Sequence, residues 1–554
     1  MRPAAALALA VLLAPASARG EDAQVVAFLA EDRPVFLRLR VTTGDRPFDA
    51  AWPDSIKAIL ASLDRDGDGK LTAKEADKNA LAALVRLLTA GAEAAPTAVD
   101  PDAAPKDGVV SADELAEALR PALGPFRVQV GRTAPGRTDA LFDHLDRDKD
   151  GQLTRSELAV IAGSLRRLDL DDNEMISADE LEPFNNPAVA VRVDAAADRR
   201  ARVAALPPAV EVVDGESSSR LARLLLRKYD KGPSDAPGRP DNKLSATEFA
   251  IAPDAFAAAD ASSDGALNAE ELRRYLAGSP VDLTLDVAFP ADGSGRASIR
   301  VAGTGLLYNV RVQQLADDDV EIALGRVRID LHVDGGEASA GDARRFLTRR
   351  FKAADANKDG YLDAKETAPI NAAGSPLAGL TGVIDRDGDG KLYEKELLDF
   401  ADRQIEAARG RLVLTASDQG RAIFGVLDSD RDRRLGAREV MRTVDRVTSW
   451  DGDGDGRVGA EEIPYHFLVT LARGQLSGLA AEGAASPSSP VARRTAGPEW
   501  FRRTDRNRDG DVSRREFLGT REQFDRLDRD KDGLIDADEA DAAQSKTPGK
   551  RDGP

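Results

Sequence analysis

Residues 450–462, WDGDGDGRVGAEE, are the stretch of sequence from which the fold can be worked out. They place Asp451, Asp453 and Asp455 at alternate positions, with glycine between them and Glu462 close behind. Carboxylates held this close repel one another, and aspartate and glycine favour neither strands nor helix interiors. Because a divalent cation among the carboxylates would turn the repulsion into attraction, the stretch predicts a metal-binding loop.

The same spacing of acidic residues recurs ten times along the 554-residue chain. Each copy opens with Asp, carries Asp, Asn or Ser at its third position and Asp or Asn at its fifth, and closes with Glu at its twelfth. The copies span residues 64–75, 146–157, 169–180, 260–271, 355–366, 385–396, 428–439, 451–462, 505–516 and 528–539. This pattern resembles the calcium-binding loop of the EF-hand family.

The resemblance implies about ten Ca²⁺ sites, each with side-chain oxygens from loop positions 1, 3, 5 and 12 and a backbone carbonyl from position 7. A shell of about six to eight hard oxygens suits Ca²⁺. The implied ligands are Asp64, Asp66, Asp68, Lys70, Glu75, Asp146, Asp148, Asp150, Gln152, Glu157, Asp169, Asp171, Asn173, Met175, Glu180, Asp260, Ser262, Asp264, Ala266, Glu271, Asp355, Asn357, Asp359, Tyr361, Glu366, Asp385, Asp387, Asp389, Lys391, Glu396, Asp428, Asp430, Asp432, Arg434, Glu439, Asp451, Asp453, Asp455, Arg457, Glu462, Asp505, Asn507, Asp509, Asp511, Glu516, Asp528, Asp530, Asp532, Leu534 and Glu539.

Residues outside the ligand positions agree with the resemblance. Position 6, where the loop turns sharply, is glycine in eight of the ten loops, and position 8 is always Leu, Ile or Val. Phenylalanine lies four residues before the first ligand in six loops, where a helix entering the loop would face its core. Glu174 and Arg433 replace the glycine, and Ser262 replaces the usual Asp or Asn, so we expect these three sites to be weaker.

Two further segments keep only part of the pattern. Residues 100–114 keep the closing Glu114, but counting back from it places alanine and proline at positions 1 and 3. Residues 229–248 keep the closing glutamate and carry a Pro/Gly-rich insertion after Asp230. We expect these two degenerate loops to have a structural role and to bind no metal.

With these two loops included, the sequence predicts a mainly α fold. It would be an array of six EF-hand pairs, with ten regular and two degenerate loops, intervening short β-strands and one small antiparallel β segment. The predicted organisation is a signal peptide at 1–18, N-terminal strands and pair 1 at 19–130, pair 2 at 131–195, pair 3 at 196–280, the β segment at 281–335, pair 4 at 336–410, pair 5 at 411–478, a flexible linker at 479–498, pair 6 at 499–541 and a disordered tail at 542–554.

The connectors inside four of these pairs are short. The two loops are 23 residues apart, which leaves only 11 residues between them. Such a connector is either one shared helix or two short helices that meet at a corner. Gly163, Pro253 and Gly519 lie near the middle of three connectors and favour the corner.

Segments with strand periodicity lie between the predicted pairs. The first segment, residues 34–41, has an apolar residue at every second position, namely Val35, Leu37, Leu39 and Val41. Shorter examples occupy residues 126–130, 189–193, 210–213 and 411–415, and several consecutive runs with turn signals fill residues 281–334.

The N-terminus predicts export. Arg2 precedes an apolar run, and Ala16 and Ala18 have the spacing of a signal-peptide cleavage site, with cleavage expected after Ala18. No later apolar stretch reaches the length of a membrane-spanning helix, so we expect no membrane span and a secreted or periplasmic protein. The chain has no cysteine, so an exported form must be stabilised by something other than disulfides, and bound metal would serve.

Composition excludes some partners. A formal charge of −19 argues against nucleic acid, which needs clustered Lys and Arg, and against anionic membrane surfaces. Catalytic patterns are weak: His144, His332 and His466 are far apart in sequence. The G-x-G-x-x-G match at residues 454–459 lies inside a predicted metal loop and is a false positive.

The sequence therefore predicts an exported calcium-binding protein that is not an enzyme. Its Ca²⁺-stabilised array would have a structural or protein-interaction role at the cell envelope, with an envelope or extracellular protein as partner. One alternative is an adaptor similar to the dockerins, which dock onto a receptor module through paired calcium loops. Another is a ligand-binding β-domain at 281–335 for which the hands are a scaffold.

Overall fold

The computed structural model describes residues 23–72, 75–89, 101–102, 106–130, 140–159, 167–169, 171–181, 207–212, 216–232, 238–291, 296–304, 310–335, 337–372, 375, 377–421, 423–429, 434–474 and 497–544. The structure is 38% helix and 27% strand, so the prediction of a mainly α fold is wrong. The signal peptide, Gly163, the strand at 189–193 and most of the linker at 479–498 lie outside the described residues.

Two six-stranded sheets hold most of the strand residues. The strands are β1 (Ala23–Leu29), β2 (Pro34–Thr43), β3 (Arg46–Pro47), β4 (Phe126–Val130), β5 (Ala209–Glu211), β6 (Leu283–Phe289), β7 (Ser298–Thr304), β8 (Val310–Ala316), β9 (Asp319–Leu324), β10 (Val327–Asp334), β11 (Leu412–Gly420) and β12 (Tyr465–Arg473). The first sheet has the order β7-β6-β2-β1-β5, with β3 paired to β2, and the second has the order β8-β9-β10-β12-β11-β4.

The two sheets pack face to face as a β-sandwich, and their inner faces share one apolar core. Strand β6 shows why, since Leu283, Leu285 and Val287 are buried at alternate positions with more exposed residues between them. Across the core, the rings of Phe28 and Phe467 lie 5.5 Å apart between centroids. The prediction of one small antiparallel β segment at 281–335 is therefore wrong, because the strands of this segment are divided between the two sheets.

Several neighbouring strands run parallel, namely β2 with β6, β10 with β12 and β11 with β4. Parallel neighbours cannot be joined by a tight hairpin and need longer connections. Much of the length of these connections is supplied by the helices and acidic loops. The hands are thus built into the sandwich topology and do not form a separate array.

The helices are α1 (Trp52–Leu63), α2 (Lys78–Thr89), α3 (Ala112–Leu123), α4 (Ala140–Leu145), α5 (Arg155–Ala159), α6 (Ala178–Leu181), α7 (Glu216–Tyr229), α8 (Ala246–Phe249), α9 (Pro253–Ala259), α10 (Ala269–Ala277), α11 (Glu337–Ala354), α12 (Thr381–Ile384), α13 (Glu394–Arg409), α14 (Ile423–Leu427), α15 (Ala437–Thr448), α16 (Glu499–Thr504), α17 (Arg521–Leu527) and α18 (Ala537–Gln544). A 3₁₀ helix covers Phe48–Ala51. Helix α18 extends into the segment for which a disordered tail is predicted.

Each acidic loop contributes a short strand, called here a loop strand, that pairs with the loop strand of another hand. Four pairings join loops that follow each other in sequence: Leu71–Thr72 with Val109–Val110, Lys243–Ser245 with Ala266–Asn268, Tyr361–Leu362 with Leu392–Tyr393, and Val512–Ser513 with Leu534–Ile535. The other four loops pair crosswise. Gln152–Thr154 bonds to Arg457–Gly459, and Ile176–Ser177 bonds to Arg434–Leu435.

The crosswise pairing corrects the prediction of sequential pairs within 131–195 and 411–478. Its cause is α15, a continuous helix of 12 residues that occupies the connector after Glu439. A helix of that length holds its two ends about 18 Å apart, so the loops it joins cannot place their strands side by side. By contrast, helices α8 and α9 meet at a corner just before Pro253, and α17 starts just after Gly519. Both of those pairs are sequential.

The hands form further cores around the sandwich. The first and third of these sequential pairs share one core, in which the Gln404 amide donates to the Ser62 hydroxyl at 2.9 Å. Helices α7, α9 and α10 cover the outer face of the first sheet. The crossed hands form a third core, next to the outer face of the second sheet, where Arg328 donates to the Val426 carbonyl at 2.7 Å.

The pair at residues 499–541 packs against the crossed hands. Arg515 forms an ion pair with Asp172 at 3.0 Å, and the Asn507 side-chain amide donates to the Asn173 carbonyl at 3.1 Å. The linker predicted at 479–498 would allow this pair to be an isolated unit, whereas these contacts place it against loop 169–180.

Candidate metal centres

In eight of the ten loops a described helix ends at the residue before the first carboxylate and so places it. Helix α1, for example, ends at Leu63, and the backbone N–H of the next residue, Asp64, still donates to the Leu60 carbonyl at 2.8 Å. In loop 451–462 the Asp451 carboxylate accepts hydrogen bonds from the N–H groups of Gly454 and Gly456, at 2.6 and 2.9 Å. Gly456 has a φ of +83°, which a side chain would disfavour, and this explains glycine at position 6.

The closing glutamate folds back over the loop. Glu462 accepts from the N–H of Gly452 at 2.8 Å with one oxygen and from the N–H of Gly459 at 3.0 Å with the other. These bonds draw the twelfth residue toward the first, as a shared cation would require. The same two bonds, from positions 2 and 9, hold Glu75, Glu157, Glu366, Glu396, Glu439, Glu516 and Glu539.

The structure brings the predicted ligands together in several loops. Carboxylate oxygens of the first, third and twelfth residues lie within 4.8 Å of one another in loops 64–75, 146–157, 169–180 and 385–396. The position-7 residue donates its N–H to the fifth residue in nine loops, at 2.7 to 3.2 Å. In loop 428–439 the predicted ligands Asp430 and Asp432 lie outside the described residues.

The chemistry of the donor set fits Ca²⁺. The predicted side-chain ligands are all oxygens, which is the type of donor that this hard cation binds. In loops 355–366 and 528–539, one oxygen of the first ligand (Asp355 or Asp528) is buried and accepts no hydrogen bond in the described structure. A buried carboxylate oxygen without a donor needs a partner, and a cation at the loop centre would supply it.

The charge environment differs between loops. A backbone hydrogen bond from Thr72, together with its hydroxyl, lowers the pKa of Glu75 to about 2. Burial instead raises the pKa of Asp505 to about 6 and that of Asp509 to about 7. Loop 505–516 is the one packed against the crossed hands, and Asp509 is only 7% exposed. Its carboxylates are therefore costly to ionise without a metal.

Counting positions back from the closing glutamate missed two candidate ligands in the degenerate loops. Asp102 accepts from the N–H of Gly108 at 3.2 Å, the bond that a first ligand makes to position 6. Asp230 accepts from the N–H of Asn242 at 2.7 Å, across the insertion. In the first loop, one oxygen each of Asp102 and Glu114 is buried without a hydrogen-bond donor. For the first loop the sequence did contain a signal, because Asp102 lies one residue before position 103, where counting back from Glu114 places the first ligand.

None of the three histidines is a predicted ligand of these loops. His466 is fully buried and bonds to the Asp330 carboxylate at 2.8 Å, beside the ion pair of Asp330 with Arg328. His144 is exposed, with a ring nitrogen 3.3 Å from the Leu181 carbonyl oxygen.

Comparisons with known proteins agree with this geometry. The family model described as EF hand matches residues 56–75, 138–162, 253–277, 348–368, 499–518 and 520–539. The chain is similar to two rice proteins (Oryza sativa subsp. japonica). One is probable calcium-binding protein CML29, 30% identical over 132 residues that cover 21% of this chain and 78% of that protein. The other is probable calcium-binding protein CML16, 29% identical over 140 residues, 21% of this chain and 74% of that protein.

The loops and helices thus define a calcium-binding protein of the EF-hand type. The chain belongs to the EF-hand family. No solved structure matches it. Among the described residues, no helix combines the length and the apolar character needed to cross a membrane.

Proposed function

We propose that this protein is exported and that about ten Ca²⁺ ions fold and stabilise it for a structural or protein-interaction role at the cell envelope. The N-terminal pattern of Arg2, the apolar run and Ala16 and Ala18 supports export. The absence of cysteine supports metal as the stabilising element. Millimolar calcium outside a cell would fill even weak hands. The proposed role is not catalytic, and the partner would be an envelope or extracellular protein.

The observation that carries a structural role is the position of the loops in the fold. In the crossed hands, the calcium loops join chain segments that are distant in sequence: Arg457 of one loop reaches Asp150 of the other at 3.0 Å. Another inter-hand contact runs from the guanidinium of Arg386 to the Asp64 carbonyl, at 3.2 Å. Filling one loop therefore stabilises contacts between elements far apart along the chain.

Without metal the loops should destabilise this arrangement. Bringing four carboxylates into one loop costs on the order of several kcal/mol at intermediate dielectric. About ten bound ions would bring about 20 positive charges, which nearly balance the formal charge of −19.

The test uses the chain without residues 1–18, in chelator and in millimolar Ca²⁺. Native mass spectrometry counts the bound ions, while small-angle scattering and thermal melting report compactness and stability. We expect about ten ions, a smaller radius and a higher melting temperature with Ca²⁺. Two or fewer ions per chain, or an unchanged radius and melting temperature, would contradict the proposal.

A further inference from the structure

A cluster of acidic and imidazole side chains lies on the sandwich, outside every EF-hand loop. Asp318 belongs to the turn between β8 and β9, Asp319 begins β9, and His332 lies directly opposite Asp319 on β10. Their ligand atoms all lie within 4.8 Å of one another. Asp334, two residues beyond His332, points to the same face of β10 and adds negative charge.

The backbone around this cluster is fixed by hydrogen bonds. The Val333 N–H donates to the Asp318 carbonyl at 2.8 Å, and the Ile299 N–H donates to the Asp317 carbonyl at 2.8 Å. The Gln314 side-chain amide donates to the Ala316 carbonyl at 2.6 Å and to the Ile299 carbonyl at 2.9 Å. The turn that carries the aspartates is thereby held against β10.

Besides the closeness of the ligand atoms, the buried imidazole of His332 indicates that a ligand binds here. Its side chain is only 8% exposed, and its buried Nδ1 atom makes no hydrogen bond of acceptable geometry. The Asp319 carboxylate oxygen lies 3.5 Å from Nδ1, at the outer limit for a hydrogen bond. Two ligand atoms on one edge of a tetrahedral Zn²⁺ site are about 3.3 Å apart, given bond lengths of about 2.0–2.1 Å. The observed separation therefore suits a shared metal ion.

We propose that Asp318, Asp319 and His332 form a binding site for Zn²⁺ or a similar first-row divalent metal, distinct from the calcium loops. An imidazole nitrogen with two carboxylates is a donor set that such metals bind well, whereas Ca²⁺ prefers oxygen alone. Three protein ligands leave a coordination position for water or for a donor from a partner. The end of β10 and the turn before β9 thus carry an open transition-metal site.

The experiment uses the untagged chain without residues 1–18, stripped of metal and then saturated with Ca²⁺ so that the hands are filled. Zn²⁺ is titrated by calorimetry, and Co²⁺ serves as a spectroscopic probe of the ligand geometry. We expect one Zn²⁺ per chain beyond the calcium complement. His332→Ala should weaken this binding by more than about tenfold and leave the number of bound Ca²⁺ unchanged. His144→Ala, at an exposed histidine, is the matched control and should bind Zn²⁺ normally.

A second variant separates loss of ligand from loss of fold. Asp318→Asn keeps the His332–Asp319 pair and the turn, and should also weaken Zn²⁺ binding by more than about tenfold at an unchanged melting temperature in Ca²⁺. If the Ca²⁺-loaded protein takes up no Zn²⁺, His332 and Asp319 form only an ion pair and the proposal is wrong. Zn²⁺ binding that persists in both variants would place the metal elsewhere and would equally overturn it.

Discussion

Arg438 binds both carboxylate oxygens of Asp511, through contacts of 2.9 to 3.1 Å. Arg438 lies on α15 of the crossed hands, and Asp511 is the seventh residue of loop 505–516. The same guanidinium reaches Asp532 at 2.9 Å. One side chain therefore connects both loops of the last pair to the crossed hands.

The first prediction concerns this connection. Arg438→Ala leaves Asp511, which is 2% exposed, as a buried charge without its cation, at a cost of about 3 kcal/mol or more in the docked state. We expect the last pair to separate from the crossed hands, which would increase the scattering radius of the Ca²⁺-loaded protein. Arg442→Ala, at an exposed position one turn along the same helix, should leave the radius unchanged. An unchanged radius in Arg438→Ala would show that Arg438 does not hold the pair.

The second prediction tests the crosswise pairing. The chain has no cysteine, so an introduced pair can form only one intramolecular disulfide. Thr154 lies opposite Arg457, so Thr154→Cys with Arg457→Cys should crosslink readily under mild oxidation, as measured by peptide mass spectrometry. The control combines Thr154→Cys with Met175→Cys, which sequential pairing would place opposite each other. Crosslinking of the control in preference to the first pair would refute the crosswise arrangement.

The third prediction concerns the coupling of calcium binding between two paired loops. Glu462→Gln replaces the closing carboxylate by a neutral amide and should remove one Ca²⁺ from the count. Because the loop strand of 451–462 bonds to that of 146–157, we expect the loss to weaken the latter site. The Gly151 N–H, which donates to Asp146 at 2.9 Å, reports on that site in glycine-labelled NMR spectra. Glu439→Gln is the matched control, since its loop pairs with 169–180, and it should leave the Gly151 signal unchanged.

The fourth prediction is a pH dependence of calcium binding at loop 505–516. Burial raises the pKa values of Asp505 and Asp509 to about 6 and about 7, from the usual 3.8. Raised carboxyl pKa values favour the metal-free fold at low pH, and that stability is lost as the pH rises from 3.8 toward 7. Calcium needs the ionised forms, so its affinity for this loop should increase over the same range.

Calcium titrations at about pH 5.5 and about pH 7.5 measure this change. Loop 64–75, where the pKa of Glu75 is lowered to about 2, provides a contrast because this glutamate stays ionised at both values. Asp509→Asn places an amide where loop 169–180 has Asn173, and it should reduce the pH dependence. Asp455→Asn, at the equivalent exposed position of loop 451–462, should leave it intact. A pH dependence that survives Asp509→Asn unchanged would rule out Asp509 as its source.

The loops could be predicted from sequence because each one is determined by 12 consecutive residues. Asp451 and Glu462 meet through hydrogen bonds to glycine N–H groups in the same short segment, so no distant part of the chain is needed. The corners at Pro253 and Gly519 are local in the same way. The connector at 440–450 contains neither proline nor glycine, and the structure makes it a helix.

The sandwich and the partners of the hands could not be predicted, because they depend on contacts between distant segments. Residues 34–41 show strand periodicity, but nothing in their sequence indicates that Leu37 lies beside Leu283 in a parallel pair. Similarly, nothing in the sequence of the loop strand at Leu153 indicates that it pairs with the strand at Val458. Asp102 and Asp230 were missed because an inserted residue or segment shifts the count from the closing glutamate.

The crosswise pairing also determines the order in which the molecule can assemble. The hands at 146–180 are synthesised long before residues 434–459, which supply their partner strands. Until those residues are made, the apolar faces of the hands remain uncovered. Local hands such as 355–396 can close as soon as they emerge. The crossed hands can therefore be completed only after residue 459 has been made, and a protein truncated before residue 434 would keep two calcium loops without their partner strands.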